Sequence, residues 1–559
     1  MSGDAPTLRP YQRDAVEAVL SARREGVRRM LVCLPTGAGK TVVFAHLARL
    51  ARRPVLVIAH REELLEQARA KLVKALGDES VVAVEQGARR ADVSARVVVC
   101  SVRSLRTERL ARLIAGRDAG LVIYDECHHA AADDNLRVLR ELGCFDAAWE
   151  GTLVGFTATT SRGDGRGLDD VFERIVYART LPEMIADEYL VPLRGYRIST
   201  GADLSRLSGR GADFVVEELA EAVDIEERNA LVARSIQELA RDRRTIAFCV
   251  TVAHAQHLKR SLQALGVRAA TVWGDMESDL RAKTLRDFAA GKVQVLTNVA
   301  VLTEGFDDPG VACVAMARPT RSEGLYAQCV GRGTRLHPDK RDCLVLDFVD
   351  ASALSLTTLP SLYGMPRDLD LEGREAGEAK RIFDAIVFDR PGFEVEAGAI
   401  TLGEIQSRAE AFDPLTQEVD VEVTAISRNA WASLGRHGLA LHFERAAGHI
   451  SEALVLSRAP RGKRWEVTLD GAVMARFSKL EEAVEAVDYE LSRRGRAVES
   501  SARSTAPWRR APVDRARAER LAKVRSGVGA PGNEGEAMTL EAWALVVSPS
   551  PRPSPAKRA

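Results

Sequence analysis

The stretch Leu34-Pro35-Thr36-Gly37-Ala38-Gly39-Lys40-Thr41 decides the fold. It follows an apolar run at residues 30–34 (MLVCL) and opens a helical pattern at 42–50. A run that is apolar at every position reads as a strand covered on both faces, the habit of a parallel sheet lying between helices. Gly37 and Gly39 let backbone N–H groups approach phosphate oxygens, and the helix start adds its partial positive charge. Lys40 then reaches the β/γ-phosphates of a nucleotide, and the Thr41 hydroxyl suits Mg²⁺. Leu34 stands where the usual pattern has its first glycine. Thr36, Gly37, Ala38 and Gly39 still form the phosphate turn.

Outward from this loop, further buried-type runs alternate with helical patterns: 54–59 (PVLVIA), 96–100 (RVVVC), 121–124 (LVIY) and 153–156 (LVGF). Residues 1–195 are therefore expected to form one α/β domain. Open sheets of this kind bind ligands at the C-terminal ends of their strands, and each motif falls there. Asp125 and Glu126 leave the 121–124 strand. The Asp can anchor Mg²⁺, and the Glu can orient or deprotonate an attacking water. Alone, such a pair is commonly a turn or a cap; Lys40 and Thr41 give it the catalytic reading. His128 and His129 have no cysteine or histidine partner at ligand spacing, so His128 reads as a polar link toward Thr157-Ala158-Thr159. Thr157 and Thr159 would couple the nucleotide site to a second domain. Gln12, in Leu8-Arg9-Pro10-Tyr11-Gln12, is placed to read adenine with its amide.

A second α/β domain is expected over 196–355, after a polar, glycine-containing connector near 198–215. Its strands read as 245–250 (TIAFCV), 269–272 (AATV), 293–296 (VQVL), 311–316 (VACVAM) and 343–348 (CLVLDF). Thr303-Glu304-Gly305-Phe306-Asp307 makes a loop in which Gly305 permits close approach to phosphate. In Gln328-Cys329-Val330-Gly331-Arg332-Gly333-Thr334-Arg335, on a helix beginning near Glu323, Arg332 and Arg335 are three apart and share one face or turn. Both can point at a γ-phosphate across an interdomain cleft, where such arginines are worth about 10³–10⁵ in rate.

Taken in order, these motifs, with Ala59-His60-Arg61-Glu62-Glu63-Leu64, resemble the superfamily 2 helicases and translocases, in the DExH (here DECH) branch. The resemblance covers residues 8–350. The wording is most similar to the bacterial RadD-like group, and more distantly to XPB-like and restriction-motor helicases. It implies two tandem RecA-like parallel-sheet domains with an ATP cleft between them, and ATP and Mg²⁺ as cofactors. Lys40, Asp125, Glu126, Gln328, Arg332 and Arg335 would be catalytic. Gln12, Thr36, Gly37, Ala38, Gly39, Lys40, Thr41, Gly305 and Asp307 would bind the nucleotide, with Thr41 and Asp125 on the metal. Arg61, Ser101, Arg103 and Thr303 would meet nucleic acid, through phosphate and sugar and hence without sequence preference. The resemblance thus implies an ATP-dependent DNA helicase or translocase in repair or recombination, acting on single-stranded or forked DNA. An RNA helicase, the motor of a restriction or phage-defence system, and a nucleotide-gated binding module are the alternatives.

Composition bounds the rest. A chain of 559 residues should hold three to four domains. Its 79 Lys+Arg balance 79 Asp+Glu, so no global field advertises nucleic acid and any contact must come from local patches. Eight cysteines without a C-x-x-C pair exclude a zinc ribbon and a disulfide framework. The first residues lack a signal-peptide pattern, and no apolar run approaches 18 residues; no membrane partner and a cytoplasmic location are expected. Residues 356–430 read as a helical connector. Residues 431–495 read as a small α+β domain: strands at 439–443, 450–456, 465–469 and 473–477, a hairpin corner at Asp470-Gly471, and a helix at 480–491. Trp431 and Trp465 with Arg461, Lys463 and Arg464 form either a stacking surface for single strands or a core with a solvated loop. Residues 496–559 read as a basic, then Pro/Ser-rich tail, disordered over 548–559. Between Arg493 and Arg525 eleven Lys/Arg face three Asp/Glu around Trp508, an electrostatic anchor for nucleic acid or a solvated linker.

Overall fold

The structure, a computed structural model, describes residues 8–59, 62–105, 107–115, 119–158, 168–204, 207, 209–210, 213–299, 301–303, 306–351, 356–389, 393, 395, 400–411, 419, 421–434, 438–446, 449–458, 464–469, 472–524 and 531–547. The chain divides into two units, Met1–Ala379 and Lys380–Ala559.

The first unit contains two parallel sheets. The first sheet is built from β1 (Arg29–Cys33), β2 (Val55–Ala59), β3 (Val82–Glu85), β4 (Val97–Ser101), β5 (Leu121–Asp125), β6 (Thr152–Thr157) and β7 (Arg174–Ala178), in the order β3-β4-β2-β5-β6-β1-β7. Every pairing is parallel. Strands β2, β4, β5 and β6 are buried along their whole length, as their unbroken apolar runs predict. Each fully buried valine, leucine or isoleucine adds about 1.5–3 kcal/mol relative to exposure. Helices α1 (Pro10–Arg24), α2 (Lys40–Leu50), α3 (Glu62–Leu76), α4 (Thr107–Ile114) and α5 (Asp133–Glu141) accompany it, and α6 (Leu181–Ala186) leads toward the second sheet. Proline at the first position of α1 costs nothing, because its missing N–H would have no partner inside the helix.

The second sheet comprises β8 (Leu193–Asp203), β11 (Thr245–Phe248), β12 (Ala269–Val272), β13 (Val295–Asn298), β14 (Cys313–Met316) and β15 (Cys343–Ala351), in the order β12-β13-β11-β14-β15-β8 and again all parallel. A two-stranded hairpin of β9 (Gly209–Arg210) and β10 (Asp213–Phe214) follows β8. Its helices are α7 (Val216–Val223), α8 (Glu226–Ser235), α9 (Val252–Ala264), α10 (Ser278–Ala289), α11 (Glu323–Val330) and α12 (Leu359–Leu362). The connector expected near 198–215 needs correction: its first part belongs to β8, an eleven-residue edge strand whose polar, half-exposed pattern hides it from an apolar-run reading.

Asp347 ties this lobe together. On β15 it accepts from the Tyr326 hydroxyl at 2.7 and 2.8 Å and from the Leu359 N–H at 2.8 Å, joining α11 and α12 to the sheet. Burial pushes its pKa up to about 6, against the opposing effect of these hydrogen bonds. The folded chain therefore holds the proton more tightly than the unfolded chain. This stabilisation is full below pH 4 and is lost as pH rises through about 6, a change of about 3 kcal/mol. Urea unfolding of wild type and Asp347→Asn across this window should show their stability difference changing by that order. A constant difference would place the proton elsewhere.

In the second unit, Ala432–Ser433, Leu439–Ala446, His449–Arg458, Trp465–Leu469 and Ala472–Phe477 form an antiparallel sheet in sequence order, with helix Leu480–Arg493 on one face. Leu441, Phe443, Leu456, Val484 and Leu491 fill the core between them. Trp431 is buried in it, donating from Nε1 to Ser427 Oγ at 2.9 Å, and Trp465 packs against it. Of the two readings of these tryptophans, the core reading holds. Residues read as a basic tail carry helices at Arg496–Ser501, Arg515–Val524 and Glu534–Val547. Trp508 is buried with its Nε1 on the Ser501 carbonyl at 2.9 Å, and Arg509 stacks over it at 4.4 Å while donating to the His442 carbonyl. Burial of Trp508 removes it as a stacking platform for bases. The corner Asp470-Gly471, Arg461, Lys463 and the Pro/Ser-rich 548–559 lie outside the described residues. Among the described residues no helix is long and apolar enough to cross a membrane.

Candidate nucleotide site between the two lobes

The loop after β1 closes on itself through two left-handed glycines. Gly37 has φ +87°, and Gly39, at the N-cap of α2, has φ +75° and ψ 38°. A side chain at either position would be strained. α1 braces the loop: the Tyr11 hydroxyl donates to the Ala38 carbonyl at 2.7 Å and Gln12 Nε2 to the same oxygen at 3.3 Å. Gln12 Oε1 meanwhile accepts from the Arg9 N–H at 3.0 Å. Both ends of the Gln12 amide thus already have partners within the protein. Tyr11 also packs on Tyr189, ring centroids 4.5 Å apart, in the segment leading to β8.

Lys40, buried at the start of α2, pairs with Glu126 at 3.0 Å. Glu126 follows β5 with φ 49° and ψ 50°, a left-handed conformation costing a non-glycine residue of the order of 1–3 kcal/mol. Its N–H donates to Asp125 Oδ1 at 3.0 Å, and its second carboxylate oxygen lies 3.5 Å from His128 Nδ1. His128 in turn sits 3.4 Å from Thr157 Oγ1 at the end of β6. His128 Nδ1 thus stands between the acidic pair and the β6 exit. Thr159 lies outside the described residues. Cys33 and Cys127 are buried beside this cluster, and burial holds both thiols in their neutral form, Cys33 pushed up to about 11. Neither suits nucleophilic chemistry.

The second lobe faces this cluster. α11 ends at Val330; Arg332 lies in a short 3₁₀ turn, Gly331–Gly333, and Arg335 just beyond it. A Cβ on Gly331 would stand 2.7 Å from Thr36 Cβ, so only glycine allows this approach to the loop. Arg332 donates to the carbonyls of Phe306, at 2.9 Å, and Thr303. Arg335 Nε pairs with Asp307 at 3.0 Å, and its Nη2 donates to the Phe306 carbonyl at 3.3 Å. Arg335 Nη1 and Thr36 Oγ1 are buried with no hydrogen-bond partner among the described residues.

A cavity of about 220 Å³ lies where the lobes meet. Pro35, Thr36, Gly37, Gly39, Lys40, Thr41, Asp125 and Glu126 line it from the first lobe, and Asp307, Arg332 and Arg335 from the second. Gln67 and Lys71 of α3 line it as well, with Lys71 Nζ 3.9 Å from Asp307 across the cleft. The sequence reading missed both, because both lie beyond the 59–64 motif that opens α3, and a lone lysine on a helix is ordinarily solvated. Gln328 is buried on α11 but is not among the lining residues. Ser101 and Thr303 are buried and Arg103 is exposed, while Arg61 and Gly305 lie outside the described residues.

A phosphate-cradling loop and acidic pair on one lobe, met by arginines from the other, define a two-lobed nucleotide-hydrolysing motor. Comparisons with known proteins agree. Residues 5–162 match the family described as type III restriction enzyme, res subunit, and residues 227–337 the helicase conserved C-terminal domain. The chain is 34% identical over 444 residues to a protein of Schizosaccharomyces pombe named as mitochondrial ATP-dependent helicase irc3, covering 78% of this chain and 72% of that one. It is 33% identical over 386 residues to the ATP-dependent helicase IRC3 of Saccharomyces cerevisiae, covering 66% of this chain and 55% of that one. A solved fragment of an HsdR subunit of a type I restriction enzyme from Vibrio vulnificus is 24% identical, with TM-score 0.49, covering 61% of this chain and 64% of that one. The chain belongs to the superfamily 2 helicases, a family of ATP-hydrolysing motors. The match takes in little more than half of the budding-yeast relative's length.

Proposed function

We propose that this chain is an ATP-dependent DNA helicase or translocase, working in the cytoplasm on single-stranded or forked DNA in repair or recombination. The observation that carries the proposal is the composition of the interlobe cavity, with phosphate-binding groups on one wall and arginines on the other. In this reading Gly37, Gly39 and Lys40 hold the triphosphate, Glu126 orients the attacking water and accepts its proton, and Arg335 meets the charge that develops on the transferring phosphoryl group. Mg²⁺ fits the donor set: Thr41 and Asp125 offer hard oxygens on one wall, and the ion takes one or two protein oxygens plus phosphate and water. When bound it would neutralise charge on the phosphates. His128 and Thr157 would carry the state of Glu126 to the β6 exit. Lobe closure on ATP and release after hydrolysis would advance the motor, and separating a base-pair step costs about 1.4 kcal/mol of stacking on average.

The RadD-like wording of the motifs supports a repair setting. A restriction motor would need a nuclease; among the described residues no group of three or more His, Cys, Asp or Glu is arranged to hold a metal, so a partner subunit would have to supply it. The deciding experiment is steady-state ATP hydrolysis with single-stranded, duplex or forked DNA or with RNA, using Lys40→Ala as blank. Stimulation by single-stranded or forked DNA is expected. Stimulation by RNA alone would move the protein to RNA metabolism.

A further inference from the structure

Two residues beyond Arg335 the chain reverses in a tight turn, His337-Pro338-Asp339-Lys340, closed by the Lys340 N–H on the His337 carbonyl at 3.0 Å. Proline at the second position presets this turn. The reversal drives the Lys340 side chain inward, where it is buried. Its ammonium donates to the carbonyls of Pro309 at 2.7 Å, Val311 at 2.9 Å and Gly333 at 3.0 Å. Three N–H groups meet three carbonyls. Gly333 lies between the two cavity arginines, and Pro309 lies two residues after Asp307. A buried ammonium is costly, a cost these three hydrogen bonds offset, and an apolar side chain of similar length would leave all three carbonyls without this donor.

We propose that Lys340 is a positioning residue for ATP hydrolysis, a buried staple that fixes the Asp307 segment and the arginine segment at one spacing. The proposal rests on the motor reading above. Burial pushes the Lys340 pKa down to about 8; Arg335 and Arg244 act in the same direction, while Cys343 and Asp308 oppose it. A neutral amine has two N–H groups for three carbonyls, so deprotonation leaves one without a donor and slackens the staple. The protonated form is the competent one, and turnover should fall as pH rises through about 8.

The test uses the full chain with DNA, comparing wild type, Lys340→Met and Lys340→Gln from about pH 6.5 to 9.5. Displacements of an ångström at such sites can cost about 10²-fold. Lys340→Met should lose about 10- to 100-fold in kcat, with KM for ATP within about threefold, and should lack the fall near pH 8. Lys340→Gln should lie between. Hydrogen exchange of the peptide spanning 328–336 should quicken in Lys340→Met, and in wild type as pH crosses 8 after correction for intrinsic rates. A Lys340→Met enzyme with wild-type kcat and the same alkaline fall, or with unchanged exchange, overturns the staple. Should Lys340→Met not fold, Lys340→Gln and the wild-type exchange profile decide. Wild-type turnover that survives Lys40→Ala would instead sink the motor reading, and the exchange comparison would still settle Lys340.

Discussion

Glu126→Gln is expected to abolish ATP turnover while leaving ATP binding intact or tighter. The carboxylate stands 3.0 Å from Lys40 and lines the interlobe cavity. Making it neutral removes the proton acceptor from the attacking water, a loss of about 10²–10⁴ in rate. It also removes a negative charge that repels the triphosphate and competes for Lys40. The amide keeps the size of the side chain, so the left-handed backbone at 126 and the approach to His128 should persist. Lys40→Ala should abolish turnover too, but with weakened ATP binding, since the phosphates then lose their cation. Phosphate release together with equilibrium binding of a fluorescent ATP analogue separates the two. Near-normal hydrolysis by Glu126→Gln would remove Glu126 from the chemistry.

The parts of this molecule that a reader could see in the sequence are those where one physical demand dominates. Strands β2, β4, β5 and β6 are buried on both faces, and that demand leaves unbroken apolar runs. The phosphate loop needs left-handed backbone at Gly37 and Gly39, and the sequence states it. Edge strands answer to weaker demands. β7 is exposed or half-exposed throughout and β8 alternates polar with apolar residues, so neither leaves such a run. The small core around Trp508 is hidden for a related reason: eleven basic residues suggest a solvated segment, yet the tryptophan, Met538 and Ala506 pack together. Lys71, Gln67 and Lys340 were invisible because their roles come from where the fold delivers them. Nothing in "HPDK" announces three carbonyls waiting inside.

Arg332 and Arg335 look equivalent in sequence, and the structure separates them. Both terminal nitrogens of Arg332 donate to carbonyls, those of Phe306 and Thr303, so this guanidinium already braces the 303–307 loop. Arg335 keeps Nε on Asp307 and Nη2 on Phe306, but its Nη1 is buried with no partner among the described residues while the side chain lines the cavity. A buried N–H without an acceptor costs about 1–3 kcal/mol, a cost that a phosphate oxygen at this place would relieve. Arg335→Ala should therefore lower kcat by about 10³–10⁵ with much less effect on ATP affinity, because the charge it meets develops mainly in the transition state. Arg335→Lys should recover little, since an ammonium cannot hold Asp307 and a phosphate through one planar fork. Arg332→Ala should instead cost stability, about 1.5–3 kcal/mol for each hydrogen bond of a charged group lost, and lower kcat through the loosened loop. Single-turnover hydrolysis, ATP binding and urea unfolding on the three variants distinguish these roles. Equal losses of binding and turnover in Arg335→Ala would make that arginine a structural brace like its neighbour.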